Sequence, residues 1–125
     1  MTCRGLFAAV ALLVAGLPAA AQDASKGEAV FKRCRACHAI GPDAKNKAGP
    51  ALTGVVGRKA GAAPGFNYSD AMKEAGSKGI VWTEDNLSKY LETPDRFVPN
   101  NVMAFPGIKN EAERKDLIAF LKLHK

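Results

Sequence analysis

The feature that most restricts this chain is a pair of cysteines two residues apart, with a histidine directly after the second. Cys34, Cys37 and His38 form the motif C-x-x-C-H within CRACHAI. This motif is compatible with half of a zinc site, with a redox-active dithiol, or with a segment to which a haem is covalently attached. The three interpretations predict three different proteins, and the rest of the chain distinguishes them.

The amino-terminal segment has the three parts of a secretory signal peptide. Arg4 supplies a positive charge, residues 5–17 form an apolar run of 13 residues, and three alanines at 19–21 place small residues before the cleavage point. The run is short for a membrane anchor, because a span requires about 20 residues. We therefore expect residues 1–21 to be a cleaved signal peptide and residues 22–125 to be exported to the periplasm.

Cleavage would leave 104 residues, a length typical of one small domain. The full chain has a formal net charge of +6, from 18 basic and 12 acidic side chains, and loss of Arg4 reduces it to +5. Cys3 is also lost, so two of the 3 cysteines remain. A basic isoelectric point alone would allow nucleic-acid binding, but export together with the cysteine motif argues against that function.

Neither zinc nor dithiol chemistry fits the remaining residues. A structural zinc site requires four ligands, yet the mature chain has no further cysteine, and its other histidine is the penultimate residue, His124. A thioredoxin-like dithiol would follow a strand. The residues before Cys34 instead predict a helix, with Ser25 and Glu28 as a capping box and apolar residues at helical spacing.

Haem attachment explains the motif in chemical terms. Two thiols add to the two vinyl groups of a haem, and the residue after the second thiol is then held against the iron. An imidazole at that position binds iron through its ring nitrogen. We predict one haem c, covalently bound through Cys34 and Cys37, with His38 as an axial ligand of the iron.

The rest of the chain predicts an all-α domain of about four to five short helices with long loops. Residues 41–67 are rich in glycine, proline and polar residues, which indicates loop, and no alternating strand pattern is present. Such loops lack a core of their own, so we expect them to pack around the haem and the apoprotein to be largely disordered. The predicted helix starts are Ser69 (with the helix stopping at Gly76), Thr83, Thr93-Pro94 and the capping box Asn110/Glu113.

Three side chains could occupy the sixth coordination position of the iron. Met72 lies in a helical segment, where a methionine is more often part of the core. His124 lies in the last turn of the chain, where a solvated role is more common. Met103 lies in FVPNNVMAFPG, an extended loop that can hold a thioether rigidly. These grounds favour Met103 and leave the other two open.

The chain resembles class I cytochrome c over residues 25–125, and in particular the small soluble forms of purple bacteria that are similar to mitochondrial cytochrome c. The resemblance implies a cytochrome c-like fold and implies that Met103 is the second axial ligand. The segments that carry it are, in order, GEAVFKRCRACH, KNKAGPALTGVVGRKAG, PGFNYSDAM, GIVWTEDNLSKYLETP, VPNNVMAFPGI and ERKDLIAFLK.

The same resemblance implies roles for residues around the haem. The carbonyl of Pro50 would accept a hydrogen bond from the second ring nitrogen of His38 and so orient the imidazole. Arg58, Tyr68 and Trp82 would hold the haem propionates, although core packing alone would also account for Tyr68 and Trp82.

Further implied positions lie on the ligand side and in the core. Tyr90 would lie near the sulfur of Met103, and Phe105 would lie at the haem edge. The first and last helices would cross at Gly27, Phe31, Leu117 and Phe120.

The loop before Met103 departs from the family pattern. The mitochondrial type has proline-glycine-threonine-lysine-methionine, whereas this chain has PNNVM at 99–103. We expect the loss of glycine and lysine to alter loop conformation and local charge, and whether Asn101 replaces the hydrogen bond of the threonine stays open. The segment after Tyr68 is two residues longer, and Met72 replaces a usual asparagine.

Ligation by histidine and methionine fills both axial positions, so the iron passes single electrons and binds little else. The resemblance therefore implies a diffusible, monomeric electron carrier and no enzyme. Its donor would be a membrane cytochrome bc complex, and its acceptor a photosynthetic reaction centre or terminal oxidase. Docking would be transient and would use a basic face, weakened on one side by Asp95 and Val102. That face comprises Arg33, Lys45, Lys47, Arg96 and Lys109.

Two alternatives remain from the sequence. A haem sensor or peroxidase-like protein would have a labile Met103 and an iron open to small ligands. An assembly or docking module would use its haem only as a structural element. Binding of carbon monoxide distinguishes the first alternative from a carrier, and rapid electron exchange with membrane complexes distinguishes the second.

Overall fold

The structure is a computed structural model that describes residues 11–13, 16 and 22–125. The predicted signal peptide falls almost entirely outside the described residues. Within them the fold is all-α, which confirms the predicted class, and no helix there is long and apolar enough to cross a membrane. The helices are α1 (Ala24–Phe31), α2 (Asp70–Ser77), α3 (Glu84–Glu92), α4 (Pro94–Phe97) and α5 (Glu111–Lys122).

Helix α1 begins earlier than the sequence predicts. The side chain of Asp23 caps the helix by accepting hydrogen bonds from the backbone N–H groups of Ser25 and Lys26, at 2.9 and 3.2 Å. The predicted capping box of Ser25 and Glu28 is therefore wrong. A carboxylate accepts two N–H groups at the positive end of the helix dipole, so Asp23 is the stronger cap and Ser25 lies inside the helix.

Three other predicted caps are confirmed, and α4 begins at Pro94 as predicted, with no side-chain cap from Thr93. Ser69, Thr83 and Asn110 each accept a hydrogen bond from the N–H three residues later. The second capping box is only half formed, because Glu113 forms an ion pair with Arg33 at 3.1 Å. Helix α2 continues to Ser77, past the predicted stop.

Helices α1 and α5 cross in the core of the domain, as the resemblance implies. Gly27 lies against the backbone of α5, and a Cβ at this position would lie 2.8 Å from the Cβ of Phe120 and collide with the carbonyl of Asp116. The rings of Phe31 and Phe120 pack at 5.3 Å between centroids. Since Phe31 is fully buried and Leu117 is 1% exposed, this crossing fixes the position of the segment that follows α1.

Residues 32–69 contain no helix and are held by hydrogen bonds to distant segments. The N–H of Trp82 donates to the carbonyl of Arg58 at 2.8 Å, and the N–H of Gly57 donates to the carbonyl of Trp82, also at 2.8 Å. These bonds surround the isolated bridge between Lys59 and Val81. They bring two of the predicted haem-pocket residues, Arg58 and Trp82, side by side.

Candidate haem-binding site

The cysteine motif forms a helical turn directly after α1. The backbone N–H groups of Cys37 and His38 both donate to the carbonyl of Cys34, at 3.1 and 2.9 Å. Cys34 is half-buried and Cys37 is exposed, and among the described residues neither thiol is in a disulfide. Burial raises the pKa of the Cys34 thiol, an effect that Arg33 opposes and Cys37 reinforces. The turn therefore keeps Cys34, Cys37 and His38 together on one short segment.

A loop returns to this turn and holds the ring of His38. The N–H of Gly49 donates to the carbonyl of Cys37 at 2.8 Å, and the next residue, Pro50, places its carbonyl oxygen 2.7 Å from Nδ1 of His38. A carbonyl oxygen can only accept a hydrogen bond, so Nδ1 carries the hydrogen and Nε2 keeps its lone pair. The geometry therefore presents Nε2 for metal coordination.

The protonation state of His38 also suits a ligand. Burial lowers the pKa of the imidazole, the bond to Pro50 opposes this effect, and the charge of Lys47 adds to the lowering. Metal binding requires the neutral ring. Its surroundings therefore favour the form that can bind iron.

Gly49 is a site residue that the sequence analysis did not identify. A Cβ at this position would lie 2.8 Å from both nitrogens of the His38 ring. Any side chain would therefore displace the imidazole. The sequence feature that could have identified it is its position directly before Pro50, within the stretch AGP.

Arg58 lies in a cavity of about 430 Å³ between two loops. Its two terminal nitrogens donate to the carbonyls of Thr53 and Ala51, at 3.1 and 3.4 Å, while Nε is buried and has no hydrogen-bond partner among the described residues. A buried donor without a partner is costly, and a carboxylate beside it would satisfy both the nitrogen and the cation. These residues fit a haem propionate.

Tyr68 and Trp82 differ in their surroundings. The Tyr68 hydroxyl accepts a hydrogen bond from the N–H of Ala63, a lining residue of the same cavity, and keeps its own hydrogen to donate. Trp82 is 6% exposed and packs against Tyr90, with ring centroids 4.9 Å apart. The structure thus places Tyr68 beside the cavity of Arg58 and Trp82 in the aromatic core.

Met103 is half-buried against this core, and its sulfur lies 3.9 Å from the hydroxyl of Tyr90. Burial, with a smaller contribution from Asp95, raises the pKa of Tyr90 to about 12. The phenol therefore remains protonated at neutral pH and can donate to the thioether. Phe105 is also half-buried and packs against the same core.

The two other candidate ligands have different environments. Met72 is half-buried in α2, and its backbone carbonyl lies next to Gly61. The ring of His124 packs edge-on against Phe120 at 5.0 Å, beyond the end of α5. Among the described residues the Tyr90 hydroxyl donates to Met103 and to neither of these side chains.

The residues of the predicted basic face are partly engaged in contacts within the chain. The ion pair of Arg33 with Glu113 reduces the charge that it can offer to a partner. Nζ of Lys47 donates to the carbonyl of Arg35 at 2.8 Å, and Nζ of Lys109 donates to the hydroxyl of Thr93 at 3.1 Å. The remaining two, Lys45 and Arg96, are exposed.

Comparison with known proteins identifies the family of this chain. The family model described as Cytochrome c matches residues 24–125. The chain is 54% identical over 99 residues to cytochrome c2 of Agrobacterium tumefaciens (strain II Chrys), which covers 79% of this chain and 89% of that protein. It is 55% identical over 102 residues to cytochrome c2 of Rhodomicrobium vannielii, which covers 82% of this chain and 79% of that one.

Solved structures give the same result. The structure of cytochrome c2 from Rhodospirillum centenum superposes with a TM-score of 0.78 at 47% sequence identity, over 82% of this chain and 98% of that one. The ferricytochrome c2 of Rhodopseudomonas palustris superposes with a TM-score of 0.75 at 44% identity, over 82% and 99%. The chain therefore belongs to the cytochrome c family, and like the other members it is an electron carrier with one covalently attached haem c.

Proposed function

We propose that this protein is a periplasmic single-electron carrier whose haem iron is held by His38 and Met103, and that it catalyses no reaction. The observation that carries the proposal is the position of the two side chains. Nε2 of His38 is left available by the bond to Pro50, and the sulfur of Met103 lies against the Tyr90 hydroxyl. With both axial positions filled, small molecules have no open site on the iron.

The bound haem supplies the one-electron couple, and the residues around it influence its reduction potential and the reorganisation that accompanies electron transfer. The Pro50 carbonyl keeps the His38 ring in one orientation, so the ligand does not reorganise when the charge of the iron changes. The Tyr90 hydroxyl restrains the Met103 sulfur in the same way. Arg58, whose Nε is buried without a hydrogen-bond partner among the described residues, would compensate the negative charge of a propionate.

We also propose that the protein is exported and that it exchanges electrons with membrane complexes. Residues 1–21 would be removed as a signal peptide, and the mature monomer would carry electrons from a cytochrome bc complex to a photosynthetic reaction centre or terminal oxidase. The net charge of +5 after loss of Arg4 supports transient association with acidic partner surfaces through the basic face. The relatives named cytochrome c2 support this assignment.

An optical spectrum of the purified protein tests the ligation. We expect a low-spin haem c, a weak far-red iron–sulfur band in the oxidised form, and no change when carbon monoxide is added to the reduced form. Met103→Ala should abolish the band and allow the gas to bind, whereas Met72→Leu should retain the native spectrum. Binding of the gas by the unmodified protein would instead support a sensor or peroxidase-like function.

Electron exchange with membranes tests the role as a carrier. We expect rapid reduction by membranes that contain a cytochrome bc complex, with a rate that falls as ionic strength rises. Lys45→Glu should slow this reaction more than Lys73→Glu, because Lys73 makes the same change of charge on α2, outside the proposed face. Slow exchange at every salt concentration would indicate a structural haem.

A further inference from the structure

The side chain of Asn101 connects the loop of Met103 to helix α4. Its Oδ1 accepts the backbone N–H of Met103 at 3.0 Å. Its Nδ2 donates to a carboxylate oxygen of Asp95 at 2.8 Å and to the carbonyl of Val98 at 3.2 Å. One side chain thus bonds the residue that bears the thioether on one side and two residues of the preceding helix and turn on the other.

The partners allow only one orientation of this amide. The carboxylate of Asp95 and the carbonyl of Val98 can only accept, and the N–H of Met103 can only donate. An amide turned the other way would place acceptor against acceptor and donor against donor. The three bonds therefore hold both the position and the rotamer of Asn101.

The turn before Asn101 is shaped by its own residues. The N–H of Asn101 donates to the carbonyl of Val98 at 3.1 Å, and Asn100 has a φ of 64°. Proline at the second position and a left-handed residue at the third are the signature of a type II turn. Asparagine tolerates this conformation better than other non-glycine residues. The turn therefore forms without the glycine of the mitochondrial pattern, and the backbone delivers Asn101 to its three partners.

We infer that Asn101 is a positioning residue for the iron ligand: by bonding Asp95 and the Met103 backbone at once, it holds the thioether in place for coordination. This inference rests on the proposed ligation by Met103 and deepens it. The sulfur is then restrained from two sides, by the Tyr90 hydroxyl at the side chain and by Asn101 at the backbone. The link to Asp95 goes beyond replacement of a single threonine hydrogen bond.

The rate at which the ligand leaves the iron tests this inference. In the oxidised holoprotein, excess imidazole replaces a methionine ligand, and the limiting rate at high imidazole reports how often the iron–sulfur bond opens. Loss of the far-red band follows this reaction directly. We expect Asn101→Ala to raise the limiting rate about fivefold or more, since a hydrogen bond contributes about 1 kcal/mol and 1.4 kcal/mol corresponds to a factor of ten. Asn101→Ser should be intermediate, because its hydroxyl can still accept from the Met103 N–H.

A double-mutant cycle tests the link to α4. Asp95→Ala should raise the limiting rate less than Asn101→Ala does, and the double variant should resemble Asn101→Ala alone, because the carboxylate acts through the amide. Asn100→Gly keeps the turn, and Asp43→Ala makes the same change of charge as Asp95→Ala at an exposed position. Both controls should leave the rate unchanged.

The outcomes separate this inference from the ligation on which it rests. A far-red band in the wild type with the same limiting rate in Asn101→Ala would overturn the positioning role and leave the ligation intact. Additive effects of the two alanine variants would overturn the link through Asp95. If the wild type lacks the band and Met103→Ala does not change the spectrum, the ligation itself fails, and the positioning role fails with it.

Discussion

Gly49 lies directly against the ring of His38, so closely that a Cβ would stand 2.8 Å from both imidazole nitrogens. Gly49→Ala should therefore displace the ring and break its hydrogen bond to Pro50. We expect the free energy of unfolding of the holoprotein to fall by about 1–3 kcal/mol, the usual cost of an overpacked core, and the far-red band to weaken. Denaturant titration and the oxidised spectrum measure the two effects.

The neighbouring substitution Ala48→Ser is the matched control, because Ala48 is exposed. It should leave the stability and the spectrum unchanged. A native spectrum in Gly49→Ala would show that the imidazole is free to move and that the contact does not orient it.

Tyr90→Phe should lower the reduction potential. The hydroxyl lies 3.9 Å from the Met103 sulfur and is held in its protonated form. A hydrogen bond to sulfur withdraws electron density, so its loss makes the thioether a better donor and stabilises the oxidised iron. A weak bond of about 0.5–1 kcal/mol corresponds to about 20–40 mV for a one-electron couple. Spectroelectrochemical titration measures the shift, and Tyr68→Phe serves as the comparison, at a tyrosine beside the cavity of Arg58.

Arg58→Ala should lower both stability and reduction potential. The substitution leaves the carbonyls of Thr53 and Ala51 without their donor, at a cost of about 1–3 kcal/mol. It also removes a half-buried positive charge, which favours the reduced haem because reduction makes the iron less positive. Arg58→Lys keeps the charge and loses the fork of donors. Its potential should therefore lie nearer to the wild type, and equal potentials in both variants would rule out a charge effect.

The Asp116 carboxylate bonds the backbone just before α1, and we expect it to make the free energy of unfolding depend on pH. One of its carboxylate oxygens accepts the N–H groups of Gln22 and Asp23, both at 2.8 Å. The bond from Asp23 and then that from Gln22 hold the pKa of this carboxyl below its ordinary value of 3.8. A group with a lowered folded-state pKa stabilises the protein above its unfolded pKa, and this contribution is lost as the pH falls through the folded value.

The expected result is an advantage of the wild type over Asp116→Asn that is constant near neutral pH and shrinks below about pH 4. Denaturant midpoints measured across this range provide the check. Asp43→Asn is the control, since Asp43 is exposed and makes no hydrogen bond or ion pair among the described residues. An advantage that does not change with pH would mean that the carboxylate charge is unimportant there.

Many helix boundaries could be predicted from the sequence, because a cap such as Thr83 or Asn110 depends only on residues within one turn. The error at Ser25 has the same origin. Two acceptors compete two residues apart, and the helix begins at Asp23, whose carboxylate accepts two N–H groups and interacts favourably with the helix dipole. The partner of Glu113 could not be predicted, because Arg33 is 80 positions away and meets it only after α1 and α5 cross.

The residues of the site likewise fall into those that the sequence identifies and those whose role depends on the folded structure. Cys34, Cys37 and His38 form a motif whose chemistry can be read without a structure. Gly49 and Asn101 act through contacts that exist only when a loop returns to a particular backbone atom. A sequence pattern records the residue type at these positions and gives no sign of the atom that the residue meets.

The helix-free stretch that begins just before Cys34 has a consequence for the order in which the protein matures. Residues 32–69 contain no helix, and we expect them to pack around the haem, so the native arrangement around Cys34 should depend on a cofactor that is not yet attached when the chain is made. The thiol of Cys37 is exposed and that of Cys34 is half-buried, so the attachment chemistry can reach this segment from the surface. We therefore expect complete folding to follow haem attachment, so that a natively folded molecule is one that already carries its haem.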